Sequence, residues 1–476
     1  MKLISVLLGV AVLGSSASPA RADSPSPVTL TIAANAGGAP IPENFTGLSF
    51  GMKALLPNKD GAHLFSPANT PLVTLFQNLG LRHLRLGGTS VESPPATLIP
   101  GQTEIDNLFA FARAAGVNKI IYSFRLLETN VACNYAATNA ALARYIWNHY
   151  RAQLESFSIG NEPDVGRVFR QDVTISNFPS YLDKWRRFAA AITNAVPEAK
   201  FAGPDAGSAN IKWTTEFAQA EEAAGLIESV TEHFYAGGKG KDVPAAKAID
   251  DMLSPKWLKN NQRLYDKMAA PVLSRGLSCR FTEANDHYSG GVPDASDTFA
   301  GALWALDFLH WWAAHQAQGV DFHNTQWVAS DIIRPDAEGH PAATPKGYGV
   351  KAFDLGCHGA PQAATLSNPD DVNLTAYAVR GVSDLFATFI NKEHGESARA
   401  AEVTIDAAGT GEKAEVIFLI GPKGIASKTG ITLGGEPITA SNPWQGKWSH
   451  VKSNKAGEYV VKVAAGSAAI VKISTK

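Results

Sequence analysis

Cysteine is scarce, and its scarcity excludes two architectures at once. Cys133, Cys279 and Cys357 are the three cysteines in 476 residues. Their odd number and wide spacing rule out a disulfide framework or a clustered zinc site and leave room for at most one disulfide. Charge of one sign is also lacking. The net charge is −2 and the isoelectric point about 6.6, so no basic field points to nucleic acid or to a heavily sulfated polymer as an obligatory ligand. Long apolar runs are missing beyond the first residues, and nothing approaches the roughly 18 uninterrupted apolar residues of a membrane span. There is no internal repeat and no low-complexity tract. With 45% hydrophobic and 18% charged residues, the chain has the composition of a folded globular protein with a large core.

The N-terminus reads as a leader. Lys2, an apolar run from Leu3 to Leu13 and the small-x-small triplet Ala20-Arg21-Ala22 predict cleavage after Ala22 and a secreted or periplasmic protein. Residues 23–43 hold an isolated strand, Val28 to Ile32, that has no helical partner. From residue 44 to 345, short apolar runs alternate with helical stretches. Eight strands can be counted: Thr46 to Phe50, His83 to Gly88, Lys119 to Phe124, the run ending at Glu162, Lys200 to Asp205, Ser229 to Tyr235, Leu277 to Asn285, and Asp321 to Trp327. Helical spacing marks Gln102 to Ala115, Ala136 to Gln153, Ser180 to Ala195, Thr214 to Ala224 and Ser296 to Gln318. Eight strand-helix alternations predict an α/β fold, a (β/α)8 TIM barrel. Residues 346–476 change to strands without helices, and this pattern predicts a C-terminal β-sandwich that also takes in the N-terminal strand. Asn44-Phe45-Thr46 and Asn373-Leu374-Thr375 are acceptor patterns for N-glycosylation.

Two segments carry the chemistry. Ser158-Ile159-Gly160-Asn161-Glu162-Pro163 ends the fourth strand, and Arg280-Phe281-Thr282-Glu283-Ala284-Asn285 ends the seventh. Barrel active sites are built at the carboxyl ends of the strands, so both glutamates face the same mouth. Two such carboxyl groups suit glycosidic-bond hydrolysis, with Glu162 as acid/base and Glu283 as nucleophile. An isolated glutamate is far more often a solvated loop residue, and it is the shared strand-end position that lifts this pair above that reading. Asn161 offers an amide to a sugar hydroxyl, and Tyr235, ending the neighbouring strand, can hold Glu283 in its ionised form. His233 has no companion at metal-ligand spacing and reads as a core or supporting histidine; neither metal nor cofactor is expected. Tyr288, Gly290 and Gly291 follow Glu283, and the bare glycine amides can face an anionic group, although glycine pairs are usually just turns. Thr89 and Asn324 are further polar residues at strand ends. Trp304, Trp311 and Trp312 read as helix packing, which leaves Trp327 as the candidate platform for a sugar ring.

Leu84-Arg85-Leu86-Gly87-Gly88-Thr89, Ile159 to Pro163, Val230 to Tyr235, and Glu283 through Gly291 into Ser296 to Ala300 together resemble glycoside hydrolase family 79, the β-glucuronidase and heparanase family. The likeness covers the barrel and, more loosely, the sandwich. It implies acid/base Glu162, nucleophile Glu283, Asn161 and Thr89 on glucuronate hydroxyls, Tyr235 supporting the nucleophile, and the amides of Gly290 and Gly291 on the uronate carboxylate. Phe234, Ala236 and Ser289 stand where heparanase-like members carry other residues. The near-neutral charge argues against a cleft gripping a sulfated chain. The expected activity is that of a secreted, monomeric, retaining exo-β-glucuronidase acting on carbohydrate. Its rivals are an endo-acting heparanase-like enzyme, a related hydrolase of xylosides or glucosides, and a carbohydrate-binding protein with an inactive barrel.

Overall fold

The computed structural model describes residues 24–474 apart from 93–98, 129–133, 166–171, 173, 208–209, 408–412 and 455–456. The expected leader and Cys133 lie outside the described residues; Cys279 and Cys357 are free thiols. After the N-terminal strand β1 (Ser26–Gly37), eight parallel strands close a barrel: β2 (Thr46–Gly51), β3 (His83–Gly87), β4 (Lys119–Phe124), β5 (Leu154–Ile159), β6 (Phe201–Gly207), β7 (Ile227–Tyr235), β8 (Cys279–Asn285) and β9 (Gly319–His323). They are buried at nearly every position because one face fills the barrel and the other meets the helices. The helices carry ordinary start and stop signals. Helix Gln102–Ala115 begins with Glu104 accepting from the Gly101 N–H and stops at Gly116, whose φ is 79°. Helix Phe299–Ala314 is buried on nearly every side, since it lies between the barrel and the second domain. The helix Pro345–Gly356, which begins at the expected domain boundary, packs on it and on helix Thr70–Leu79, so the ring of barrel helices extends to Gly356.

The lower part of the barrel is filled by charge as well as by hydrocarbon. Arg280 on β8 donates to Asp321 on β9 from Nε and Nη2, at 2.9 and 3.0 Å, and His83 Nδ1 lies 2.6 Å from the same carboxylate. All three side chains are fully buried. Glycines make room for them: a Cβ at Gly47 would lie 2.1 Å from Asp321, and one at Gly319 2.3 Å from the Arg280 guanidinium.

Beyond a small hairpin, β10 (Ile333–Pro335) and β11 (Pro341–Ala343), the chain forms β12 (Ala360–Ser367), β13 (Leu374–Arg380), β14 (Asp384–Asn391), β15 (Ala401–Asp406), β16 (Ala414–Ile420), β17 (Pro422–Ile425), β18 (Thr432–Leu433), β19 (Ser449–Val451), β20 (Tyr459–Val463) and β21 (Ser467–Ser474). β1 does enter this domain, antiparallel to β12 and parallel to β15. The sandwich is one continuous sheet folded over on itself, in the order β18-β16-β21-β14-β13-β12-β1-β15-β20. Val28, Phe389, Val403, Val461 and Val471 share one apolar core between its two halves. The domain is tied to the barrel through Asp307 on helix Phe299–Ala314, which accepts from Lys392, Tyr377 and Thr375 at 2.6, 2.6 and 2.9 Å. Asn44 and Asn373 engage their side-chain amides with Glu155 and the Leu253 carbonyl.

Arg280→Met, which strands Asp321 without its cation, is expected to destabilise the protein by about 3–5 kcal/mol, read as a lower guanidinium unfolding midpoint. The double variant Arg280→Met with Asp321→Leu should recover a large part of that loss, because no buried charge is then left alone.

Candidate active site

At the carboxyl end of the barrel a single guanidinium organises the residues. Arg85, fully buried on β3, donates from Nη2 to Asn161 Oδ1 at 2.8 Å and to Asp205 Oδ2 at 2.9 Å. From Nη1 it reaches Ser49 Oγ at 3.2 Å and Glu283 Oε2 at 3.3 Å. Strand register makes this possible, since Arg85 is level with Ser49, Ser49 with His323, and His233 with Glu283 around the closed barrel.

Two strands break their alternation to join the cluster. The pairings of β8 with both β7 and β9 shift register at Thr282 and Glu283, so these consecutive residues both turn inward, which a regular strand forbids. Thr282 then donates to Asp205 Oδ1 at 2.5 Å, and Glu283 faces Arg85. The β6–β7 pairing slips likewise at Asp205, whose φ is 55° and which also accepts from Ser158 Oγ at 2.7 Å.

Glu162 stands just past β5, with φ 49°, on a turn opened by Gly160 with φ 92°. Its N–H donates to the Asp205 carbonyl at 2.8 Å, which fixes the strained turn to the neighbouring strand. Its carboxylate Oε1 lies 3.1 Å from His233 Nδ1. One oxygen of Glu162, one of Glu283 and one nitrogen of His233 fall within 4.8 Å of one another. By distance the three could hold a metal ion, yet the Arg85 guanidinium already supplies a positive charge against Glu283 and lies 3.4 Å from His233 Nε2.

The surroundings fix the charge of Glu283. Burial by itself favours the neutral acid at Glu283; His323, His233, Arg85 and the Tyr235 hydroxyl outweigh it and bring its pKa down to about 2. Tyr235 donates to Glu283 Oε1 at 2.5 Å and keeps its proton, because burial and then the adjacent carboxylate push its pKa well up. Burial would discharge His233, but Glu283 and Glu162 raise its pKa. Asp164, two residues beyond Glu162, accepts the Gly207 N–H at 2.7 Å and is pushed up to about 6, chiefly by burial.

Among the residues expected from the sequence, Glu162, Glu283, Asn161 and Tyr235 converge here. Asn161 accepts from Arg85 through its Oδ1, and no hydrogen bond among the described residues uses its NH2 group. Thr89 is exposed on the turn after β3, and Tyr288 stands at the mouth, 44% exposed, with its ring edge-to-face with Tyr235 at 6.5 Å. Ser289, Gly290 and Gly291 have φ of 62°, 95° and 78°. No hydrogen bond among the described residues uses the N–H of Gly290 or Gly291. A Cβ at Gly291 would come within 2.8 Å of Ser296 Oγ, so glycine is required there.

Asn324 is a correction. It is fully buried, its Oδ1 accepts from Ile332 and Ile333 N–H at 2.9 Å, and its Nδ2 donates to the Ile333 carbonyl, so it staples a loop and offers nothing to a sugar. His233, read as a core or supporting residue, bridges the two glutamates. Arg85, Asp205 and His323 were missed. A charged residue inside the apolar strand Leu84-Arg85-Leu86 was a usable signal for the first; Asp205 and His323 carry none that stands out from ordinary strand ends.

Residues 104–310 match the family model of the glycosyl hydrolase family 79 N-terminal domain. A β-glucuronidase of Aspergillus niger is 23% identical over 269 residues, 50% of this chain and 46% of that protein, so the match spans about half the length of the curated relative. Among solved structures, a 4-O-α-L-rhamnosyl-β-D-glucuronidase from Fusarium oxysporum superposes with a TM-score of 0.71 at 15% identity, covering 93% of this chain and 99% of its own. A family 51 arabinofuranosidase from Xanthomonas axonopodis does so with a TM-score of 0.66 at 15% identity, covering 94% and 100%. These two likenesses establish the shared barrel-and-sheet fold. The matched stretch runs from helix Gln102–Ala115 through both glutamate strands, so the part of the chain that carries the two glutamates is similar to the N-terminal domain of glycosyl hydrolase family 79.

Proposed function

We propose that the protein is an exported, retaining β-glucuronidase that removes terminal β-linked glucuronic acid by double displacement. The observation that carries the reading is the facing pair of glutamates, with oxygens within 4.8 Å of each other and one of the two held ionised. Retaining enzymes keep their carboxyl groups about 5–5.5 Å apart, whereas inverting ones leave about 6.5–9.5 Å for a water. Glu283, aimed by Arg85 and Tyr235, attacks the anomeric carbon. Glu162 gives its proton to the leaving oxygen and then takes one from the incoming water, and His233 holds it in place between the steps. The Asn161 NH2 group meets the hydroxyl beside the reacting carbon.

Uronate recognition is supported by the amides of Gly290 and Gly291, which have no acceptor among the described residues and would suit a carboxylate. Fully buried Lys346 stands behind this loop, with Nζ 3.1 Å from the Ser330 carbonyl and 2.6 Å from Asn285 Oδ1. The Aspergillus relative and the Fusarium structure are both glucuronidases by description. The leader at residues 1–22 supports export, and no helix among the described residues is long and apolar enough to cross a membrane.

Steady-state hydrolysis of an aryl β-glucuronide and the matching aryl β-glucoside tests the proposal. Wild type should prefer the glucuronide, and Glu283→Ala should abolish its turnover; a preference for the glucoside would remove uronate recognition. Glu162→Ala should lose activity on glucuronides with poor leaving groups while retaining turnover of activated aryl ones, and NMR of the first-formed sugar should show the β-anomer. An α-anomer would refute the double displacement. Because Glu283 is held at about 2, its ionisation should limit kcat/KM only in strong acid. Tyr235→Phe, which takes away a hydrogen bond to the ionised form, should move that acid limb to higher pH, as read from the pH dependence of kcat/KM.

A further inference from the structure

Three basic side chains surround Oε2 of Glu283, and they differ in whether a ligand can reach them. Arg85 Nη1 stands 3.3 Å away, His323 Nδ1 3.5 Å and His233 Nδ1 3.9 Å. The side chains of Arg85 and His233 are sealed, at 0% and 1% exposure, whereas that of His323 is 23% exposed. Its Nδ1 is buried and makes no hydrogen bond, so the exposure belongs to the rest of the side chain, whose other nitrogen, Nε2, has no partner among the described residues. The position is built for this ring. His323 is level with Ser49 on β2, and beyond that strand a Cβ on Gly88 would lie 3.7 Å from the imidazole Cε1, so glycine leaves the space open. The main chain beneath is fixed where the His323 carbonyl accepts from Asn285 Nδ2 at 3.1 Å.

The same strand end is tied to the glycine loop. Asn285 Nδ2 also donates to the Ser330 carbonyl at 3.1 Å, and the Ser330 N–H donates to the Gly290 carbonyl at 3.2 Å. A uronate held by the Gly290 and Gly291 amides therefore brings its charge to the part of the mouth that carries His323. That mouth already holds Glu283 as an anion, and a second carboxylate beside it is costly unless a cation answers both. Lys346, behind the loop, is fully buried with its Nζ 3.4 Å from Asp286, so its charge is already answered. We propose that His323 is a substrate-facing cation whose Nδ1 backs the nucleophile, whose Nε2 edge meets the bound sugar, and whose charge selects a uronate over a neutral pyranose of the same shape. This role rests on the β-glucuronidase reading and deepens it: to the glycine amides, which are neutral donors, it adds a charged group that a neutral sugar leaves unanswered.

The test compares 4-nitrophenyl β-glucuronide with its glucuronamide, in which a neutral amide replaces the carboxylate, using wild type, His323→Gln and His323→Asn. Wild type should show the higher kcat/KM on the glucuronide. Both variants should slow on either compound, since Glu283 loses a neighbour, and should shrink the glucuronide-to-glucuronamide ratio roughly tenfold to a hundredfold, as the loss of a hydrogen bond to a charged group does. Inhibition by D-glucuronate should weaken by a similar factor, and unchanged melting temperatures separate these effects from loss of the fold. A ratio unmoved in the folded variants, or a wild type that does not distinguish the two compounds, overturns the role of His323 and leaves the β-glucuronidase reading standing. Failure of both variants to fold makes the imidazole structural and overturns the role as well. Turnover of neither compound by wild type removes both.

Discussion

The site depends on one buried cation. Arg85 is sealed from water and faces the carboxylates of Asp205 and Glu283, so its charge acts through a low-dielectric interior where such attractions are strong. Each of its contacts has a chemical consequence. The bond to Asn161 fixes the orientation of that amide, the contact with Glu283 favours the ionised form, and the pair with Asp205 holds the strand to which the Glu162 turn is bonded. Gly87 belongs to the same device, because a Cβ there would lie 2.2 Å from the guanidinium carbon.

The hub works because the barrel departs from regularity at the places where chemistry is needed. A strand alternates its side chains, so Thr282 and Glu283 could not both face inward without the irregularity at that point of β8. Asp205 and Glu162 adopt left-handed backbone for the same end and are bonded to each other through the main chain. The strain is carried by neighbours that are wholly buried, including Ser158, Thr231 and Thr282. The second domain contributes from outside. Lys428 lies 3.0 Å from Asp297, on the segment that follows the glycine pair, so the folded sheet helps to hold the loop that would meet the uronate.

The barrel was legible because its signal is repeated: eight apolar runs, each followed by helical spacing, leave little choice of fold. Both glutamates were legible because each closes such a run. The second domain was read only in part. β12 and β17 are short of aliphatic residues and largely exposed, and β18 is two residues long, so no period-two signal marks them. β15 does alternate, with Ala401, Val403 and Ile405 in the core, and was readable. Asn324 shows the opposite failure: a polar residue at a strand end looks the same in sequence whether it faces a sugar or staples a loop.

Local chemistry along the chain determined the order of strands and helices and the placing of Glu162 and Glu283 at strand ends. Those properties depend on residues close in sequence. Which charges meet was decided only by closing the barrel, since Arg85, Asp205, His233 and Glu283 come from four strands and are brought together by register and three irregular pairings. The ionised state of Glu283 likewise has no counterpart in its own segment. It is set by His323, His233, Arg85 and Tyr235, which are far away along the chain and together outweigh the burial that would neutralise it, and electrostatic interaction depends on distance in space rather than along the chain.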